Sequence, residues 1–278
     1  MKKNLLKLLI FSVLAFVISC KKSSQEEITP DPFGTNANTG LKTKCNLKSI
    51  TDDKDAVKST FEYDANKKLT KVTNIVDKTT ISFTYNTKGK IDKMDFRTPV
   101  AGESYTINYT YDETGSRVMR TKATVQGYEF LNNAMVYEGE KLIRATCDFD
   151  IFGEKIQVLY RMEYTGDNLT RVYSRTNGDK EVVVFEGVKY DDKLNFYPNN
   201  YNMFALGFLG LKNSYFGYLS KNNPVSIKIY DEKNEANLID MNYTYDKKGV
   251  VLKNNIITTN PKGVKQTRLE GYQFIDCK

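Results

Sequence analysis

Apolar and polar positions alternate strictly along most of the chain, and short polar turns interrupt the alternation. In the segment 105–111, one face carries only aromatic and aliphatic side chains, which are Tyr105, Ile107, Tyr109 and Tyr111. The intervening positions carry threonine and asparagine. A period of two residues is typical of a β-strand with one buried face. The pattern therefore predicts strands rather than helices over most of the sequence.

One motif recurs at nearly constant spacing: a strand ends in tyrosine, a polar turn follows, and the next strand begins with an aliphatic residue. The repeated tyrosines are Tyr63, Tyr85, Tyr111, Tyr137, Tyr164 and Tyr190, with separations of 22, 26, 26, 27 and 26 residues. Tyr245 follows 55 residues later, about two periods. This period accommodates two strands and two turns, so each repeat is interpreted as one β-hairpin.

The turn composition supports the hairpins. Glycines follow the repeat tyrosine by two to four residues at Gly89, Gly115, Gly139, Gly166 and Gly249, as turns with positive φ require. We predict an all-β fold, a long antiparallel meander of hairpin repeats with roughly 14–18 strands. A flat sheet of this size is unusual, so we expect it to form a curled or closed barrel-like sheet.

The strands after the turns follow the alternation less well. With a strict period of two, Leu169, Arg171, Tyr173 and Arg175 share one face. A barrel that crosses a membrane presents an apolar band about 25 Å tall to lipid on every strand. A face of this composition does not provide it, so we expect a water-exposed barrel or curled sheet beside the membrane rather than a pore.

Residues 196–220 depart from the repeat, with eight aromatic residues and one charged residue, Lys212. Helical spacing of several of these aromatics predicts one short helical or loop insertion near residues 198–218. In one interpretation, the insertion plugs the open end of the sheet and its rings join the core. In the other, Tyr201, Tyr215 and Tyr218 form an exposed stacking surface for a glycan or a partner protein.

The first residues are typical of an export signal. Residues 1–19 combine a basic start with an apolar run over 8–18 that is too short for a transmembrane helix. The following Val17-Ile18-Ser19-Cys20 resembles the bacterial lipobox, so we expect Cys20 to carry a lipid that holds the protein on a membrane. The alternative is an ordinary signal peptide that happens to contain a cysteine.

The remaining chain divides into two parts. Residues 20–40 are polar and contain serine, threonine, proline and glycine, which predicts a flexible tether. Residues 41–278 are predicted to form a single barrel-like domain. Gln25-Glu26-Glu27 resembles the acidic signal that sends Bacteroidota lipoproteins to the cell surface. We therefore expect anchorage in the outer membrane, on its cell-surface or periplasmic face.

Three cysteines remain after Cys20 is assigned to lipid. Cys45 opens the folded region and Cys277 nearly closes it, so a disulfide between them would join the first and last strands of a barrel. Three buried thiols are an equally weighted alternative. Cys147 lies on the apolar face of a predicted strand, which indicates a structural thiol rather than a nucleophile.

The chain contains no histidine and no tryptophan. The absence of histidine removes the usual general base and the commonest metal ligand, and with them histidine-dependent triads and zinc sites. Calcium-binding and phosphate-binding loops are also missing, so we expect no metal and no cofactor. The notable acidic clusters are Asp52/Asp53/Asp55, Asp148/Asp150 and Asp191/Asp192, and turn chemistry explains Asp191 and Asp192. A glycan hydrolase with two carboxylates about 5–10 Å apart across a cleft is the enzymatic alternative.

The charge distribution indicates no nucleic-acid partner. The whole chain has a formal charge of +7, and removal of Lys2, Lys3 and Lys7 with the signal segment leaves +4. The lysines are scattered among acidic residues instead of forming a dense basic run.

The repeated turn, Tyr-Asp-x-x-Gly/Lys-x-Leu, resembles the Tyr-Asp repeats of large bacterial shell-forming proteins. With the segments Tyr190-Asp191-Asp192-Lys193 and 220–225 (SKNNPV), residues 41–278 resemble Bacteroidota lipoproteins of an uncharacterised family described as porin-like in fold. The resemblance implies an antiparallel barrel-like sheet and a lipid anchor, and no known activity. We expect a non-enzymatic binding or structural module that contacts the membrane through its lipid and binds a glycan or an envelope protein.

Overall fold

The computed structural model describes residues 45–151, 153–195, 213–247 and 249–275, without the side chains of residues 194 and 213–215. The described residues form sixteen strands and one 3₁₀ helix, Asn213–Leu219. The strands are β1 (Asn46–Thr51), β2 (Val57–Tyr63), β3 (Leu69–Asn74), β4 (Thr80–Tyr85), β5 (Ile91–Arg97), β6 (Tyr105–Tyr111), β7 (Val118–Val125), β8 (Tyr128–Glu138), β9 (Lys141–Ile151), β10 (Glu154–Thr165), β11 (Asn168–Thr176), β12 (Val182–Leu194), β13 (Asn222–Tyr230), β14 (Ala236–Tyr245), β15 (Val251–Thr259) and β16 (Lys265–Ile275).

The sheet is a closed barrel in which each strand pairs with its neighbours along the chain. Closure occurs between β1 and β16, which are antiparallel and align Asn46 with Ile275 and Ile50 with Tyr272. The prediction of an all-β meander forming a curled or closed barrel-like sheet is thus confirmed, and the structure selects the closed form. Closure pairs every strand on both sides and leaves no exposed sheet edge.

The interior of the barrel is mainly apolar, with a few buried polar side chains such as Thr121 and Asn133. One cluster of buried side chains has members on every strand except β14, whose Ile239 and Met241 pack partly buried against it. The outer wall is polar: in β6, for example, Ile107 and Tyr109 are buried whereas Asn108 and Thr110 are exposed. A round barrel of sixteen strands leaves a water-filled channel. In this barrel, buried side chains from fifteen of the sixteen described strands and Phe216 of the 3₁₀ helix occupy the interior instead.

A β-bulge accompanies the repeat tyrosine in six hairpins. The register shifts immediately before Tyr63, Tyr85, Tyr111, Tyr137, Tyr164 and Tyr245. At Tyr164, for example, the extra residue is Thr170, so that Leu169 and Val172 are both buried while Arg171 is exposed. The prediction that Leu169 shares a face with Arg171, Tyr173 and Arg175 is wrong. A bulge adds one residue to a strand and moves every later side chain to the opposite face.

The acidic or amide residue after the tyrosine organises the turn. Asp64 Oδ1 accepts hydrogen bonds from the backbone N–H groups of Asn66 at 2.9 Å and Lys68 at 2.8 Å. The fourth residue of this turn, Lys67, has a φ of 63°, and Gly89 in the next repeat has a φ of 73°. Asp and Asn side chains commonly close turns in this manner. The Tyr-Asp pair therefore combines a strand end with a turn cap.

Candidate functional site

The repeat tyrosines lie along one end of the barrel, which we call the tyrosine rim; it comprises the turns 64–68, 86–90, 112–117, 139–140, 166–167 and 246–250. Six tyrosine hydroxyls donate to a backbone carbonyl near the start of the preceding odd-numbered strand. The pairs are Tyr63 to Leu47, Tyr85 to Leu69 and Tyr111 to Ile91, each at 2.7 Å, Tyr137 to Val118 at 3.0 Å, Tyr164 to Leu142 at 3.1 Å, and Tyr190 to Leu169. Each tyrosine thereby connects the end of its own strand to the start of the preceding strand.

Basic side chains cover several of these rings from the rim. The Lys68 ammonium lies 5.2 Å from the centre of the Tyr85 ring, and Lys141 lies 5.9 Å from that of Tyr164. Burial raises the pKa of Tyr85 and of Tyr111 to about 12. Both hydroxyls therefore remain protonated donors near neutral pH, which suits a structural contact rather than proton transfer.

The seventh tyrosine departs from the pattern. The Tyr245 hydroxyl donates to the carboxylate of Asp191 instead of a backbone carbonyl, and Asn223 Nδ2 lies 3.0 Å from the Tyr245 oxygen and 3.3 Å from Asp191 Oδ2. Asn223 is fully buried. Burial, followed by the Asp191 carboxylate, raises the pKa of Tyr245. This cluster lies where the insertion leaves the barrel after β12 and returns before β13.

The returning chain is fastened to the start of β11 by a dense set of hydrogen bonds. Ser220 Oγ accepts from the Leu169 N–H at 3.0 Å and donates to the Tyr190 oxygen at 3.1 Å. Asn168 and Asn222 exchange two hydrogen bonds, and Lys221 pairs with Asp167 at 3.0 Å. Residues 220–222 thus fasten the base of the insertion to the barrel. Their polar groups are paired with Asp167, Asn168, Leu169 and Tyr190.

The described part of the insertion contributes to the core. Phe216 in the 3₁₀ helix is buried, and its ring centre lies 5.3 Å from that of Tyr160 and 6.1 Å from that of Phe185. Edge-on ring pairs of this kind are favourable packing arrangements. Tyr218 is partly buried and packs against the same apolar cluster.

One ion pair lies inside the barrel. The Glu270 carboxylate is 4% exposed; it accepts a hydrogen bond from Tyr272 at 2.6 Å and lies 2.7 Å from an Arg268 guanidinium nitrogen. Asn254 is directly opposite Glu270 on β15 and is equally buried. Glu270 is the only buried acidic residue within the described ranges. Two facing buried carboxylates, as a glycan hydrolase would use, are therefore not found in this part of the chain.

Neither this ion pair nor the cluster around Tyr245 was anticipated from the sequence. The burial of Glu270 could have been predicted, because it lies two residues before Tyr272 and strand alternation places both side chains on the inward face of β16. The partner of Tyr245 lies on another hairpin, so the repeat pattern gave no indication of it.

The predicted acidic clusters lie in turns or in the barrel wall. The prediction that Asp191 and Asp192 are turn residues is wrong, because both lie in strand β12. Asp191 Oδ1 accepts from the Lys193 N–H at 3.0 Å, and Asp192 pairs with the Lys193 ammonium at 2.9 Å. Asp150 accepts from the Tyr128 hydroxyl and the Gly153 N–H, and these bonds lower its pKa. Asp52 Oδ1 caps the first turn through the N–H groups of residues 54 and 56.

The same described residues contain no group of three or more histidine, cysteine and acidic side chains that could hold a metal ion. Within them, no helix is long and apolar enough to cross a membrane. A surface groove of about 330 Å³ lies at the opposite end of the barrel, between the β5–β6 and β7–β8 connections. Its lining includes Arg97, Ser104 and Thr124 but no acidic residue.

The cysteines are partly accounted for. Cys45 is buried and disulfide-bonded, and Cys147 is a buried free thiol whose pKa is raised by burial. The alternative of three free thiols is therefore wrong for Cys45, and the structural role predicted for Cys147 agrees with its burial. The bonding partner of Cys45 lies outside the described residues, so Cys277 stays a prediction.

Other predicted site residues are not described. Cys20, Tyr201 and Cys277 lie outside the described ranges, as do the segments 1–19 and 20–40. Tyr215 lies in the 3₁₀ helix, but its side chain is not described. Lipidation of Cys20 and ligand stacking by Tyr201, Tyr215 and Tyr218 stay predictions.

Comparison with known proteins gives likeness in fold alone. No protein-family model matches the chain, and no curated protein matches it. A porin-like protein from Bacteroides uniformis is 14% identical, with a TM-score of 0.49 over 78% of this chain and 90% of that one. A porin-like protein from Bacteroides vulgatus is also 14% identical, with a TM-score of 0.47 over 82% and 97%. The lipoprotein family indicated by the sequence motifs stays a prediction.

Proposed function

We propose that this protein is a lipid-anchored, non-enzymatic binding or structural module of the bacterial envelope, held on the outer membrane through Cys20. The observation that carries the proposal is the polarity of the barrel, which is mainly apolar inside and polar outside. Such a wall favours contact with water over contact with lipid chains. An anchor at one end of a tether then accounts for membrane attachment without a membrane-spanning domain.

The same polarity argues against a pore. The known pore-forming barrels keep a polar lumen and an apolar belt, whereas most buried side chains of the described residues here are apolar and form one cluster. Addition of the purified protein to liposomes and measurement of ion conductance tests this point directly. Stepwise conductance that depends on the protein would overturn the assignment of a water-exposed module.

The chemistry of the described residues supports a role without catalysis. The polar groups at the base of the insertion engage one another, and Glu270 is neutralised by Arg268. A screen for hydrolysis of envelope and surface polysaccharides, with Glu270→Gln as the comparison, addresses the enzymatic alternative. Turnover by the parent protein that Glu270→Gln abolishes would contradict the proposal.

Two experiments test the anchored role itself. In a bacterium that processes lipoproteins, labelled fatty acid should enter the parent protein but not Cys20→Ala, and only the parent should sediment with outer membranes. Binding of protein that lacks residues 1–20 to polysaccharides and envelope proteins should then be screened. Absence of label in the parent rejects the anchor, and absence of any binding leaves a structural role alone.

A further inference from the structure

The tyrosine rim is divided into a basic and an acidic half. The turns 64–68, 86–90 and 246–250 carry five described lysines, Lys67, Lys68, Lys88, Lys90 and Lys247, against Asp64 and Asp246, a balance of +3. The turns 112–117, 139–140 and 166–167 carry Arg117 against Asp112, Glu113, Glu140 and Asp167, and the adjoining Lys141, which pairs with Asp167, brings the balance to −2. We call the first set of turns the basic sector.

The strand order places the basic sector around the point where the chain enters the barrel. The β2–β3 and β4–β5 turns lie on one side of the seam between β1 and β16, and the β14–β15 turn lies on the other. Cys45, which precedes β1, lies at this same end of the barrel. Any N-terminal tether therefore reaches the barrel in the middle of the basic sector.

Local geometry directs the lysines outward and turns the acids inward. Lys67, Lys88, Lys90 and Lys247 are exposed. The Asp64 carboxylate instead accepts N–H groups of its own turn, and Asp246 accepts the Val250 N–H at 2.8 Å. The surface offered to an approaching partner is therefore dominated by ammonium groups.

We propose that the basic sector docks on a membrane surface rich in anionic, phosphate-bearing lipid headgroups. The inference rests on the proposed anchorage, because exposed charges act over only about 8 Å at physiological salt and need the tether to hold them near the bilayer. A lipid chain combined with a basic surface gives stable attachment where one signal is marginal. Docking in this orientation points the opposite end of the barrel, with its groove, away from the membrane.

The test uses unlipidated protein that starts at residue 21. All sixteen described strands lie within 46–275, so this chain contains the complete barrel. Sedimentation with vesicles of phosphatidylglycerol and phosphatidylcholine is compared with pure phosphatidylcholine vesicles at low and physiological salt. One variant changes Lys67, Lys88, Lys90 and Lys247 to glutamine. The matched control changes four exposed lysines at the opposite end, Lys54, Lys78, Lys233 and Lys262, to glutamine.

The parent should bind the anionic vesicles and lose binding as salt is added. Each lysine near an anionic surface contributes about fivefold, so the rim variant should lose roughly several hundredfold and the control little. Equal binding to both kinds of vesicle, or equal losses in both variants, rejects the docking surface. Because the chain is unlipidated, this result is independent of whether Cys20 is acylated.

Discussion

The hydroxyl bonds of the repeat tyrosines should be measurable one at a time, and Tyr85 is the best position. Its hydroxyl donates to the Leu69 carbonyl at 2.7 Å, and Leu69 is buried. Tyr85→Phe removes only the hydroxyl, while the ring and its contact with Lys68 at 5.2 Å are retained. The change therefore isolates a single hydrogen bond.

The magnitude follows from two contributions. A typical intramolecular hydrogen bond adds about 0.5–1.5 kcal/mol to stability, and a buried acceptor left without its donor costs about 1–3 kcal/mol. We expect Tyr85→Phe to lower the free energy of unfolding by about 1–2 kcal/mol. Tyr137→Phe, which removes a 3.0 Å bond to Val118, should give a similar loss. The double variant should equal the sum within about 0.5 kcal/mol, because the two sites are separate.

Urea unfolding followed by far-ultraviolet circular dichroism measures these changes. The comparison requires that the slope of the unfolding free energy against urea concentration is the same in the parent and the variants. Tyr128→Phe is the control, because Tyr128 is 39% exposed and its hydroxyl contacts a side chain on the wall. It should change stability by less than about 0.5 kcal/mol. If Tyr85→Phe is as mild as Tyr128→Phe, the hydroxyl bond does not explain the recurrence of tyrosine, and only ring packing remains.

Three further predictions concern pH, glycine and the seam. Burial raises the pKa of Tyr85 and Tyr111 to about 12, above the unfolded value of about 10. Their contribution to stability is therefore complete below about pH 10 and is lost as pH rises towards about 12. Urea midpoints that stay constant between these two pH values would contradict this prediction. Gly187→Ala places a Cβ against the Leu169 carbonyl and the Tyr190 hydroxyl and should cost roughly 2–3 kcal/mol in urea unfolding. Gly217→Ala, which meets only Pro224 Cγ at 3.6 Å, should be nearly neutral, and equal losses would refute the steric reason. If the disulfide of Cys45 closes the whole barrel, Cys45→Ser should lower the free energy of unfolding by roughly 4–5 kcal/mol. Peptide mapping should pair Cys45 with Cys277, and a different partner would exclude a disulfide across the β1–β16 seam.

The sequence by itself determined the local architecture. Alternation, the tyrosine period and the Asp/Asn and Gly turns predict a hairpin meander, because these features depend on residues only a few positions apart. The turn bonds of Asp64 and the positive φ of Gly89 have the form that their residue types favour. Asp52 is a turn residue as its type favours, whereas Asp191 lies in β12 and bonds to Tyr245, which its residue type alone does not predict.

The bulges could be predicted only in part from the sequence. Pairs of apolar residues three positions apart follow four of the six bulged turns, such as Leu69 with Val72 and Leu169 with Val172. This spacing is a usable signal for an extra residue at the start of the strand. A strict period of two overlooks it and places Arg171 on the wrong face.

Only the tertiary structure decided closure, the filled interior and the partners of the tyrosines. Asn46 pairs with Ile275, and Tyr245 bonds to Asp191. Contacts between residues so far apart depend on the accumulated twist, register and bulges of all the intervening strands, and no local pattern encodes that sum. The division of the tyrosine rim into basic and acidic halves has the same origin, because closure brings the first and last turns together.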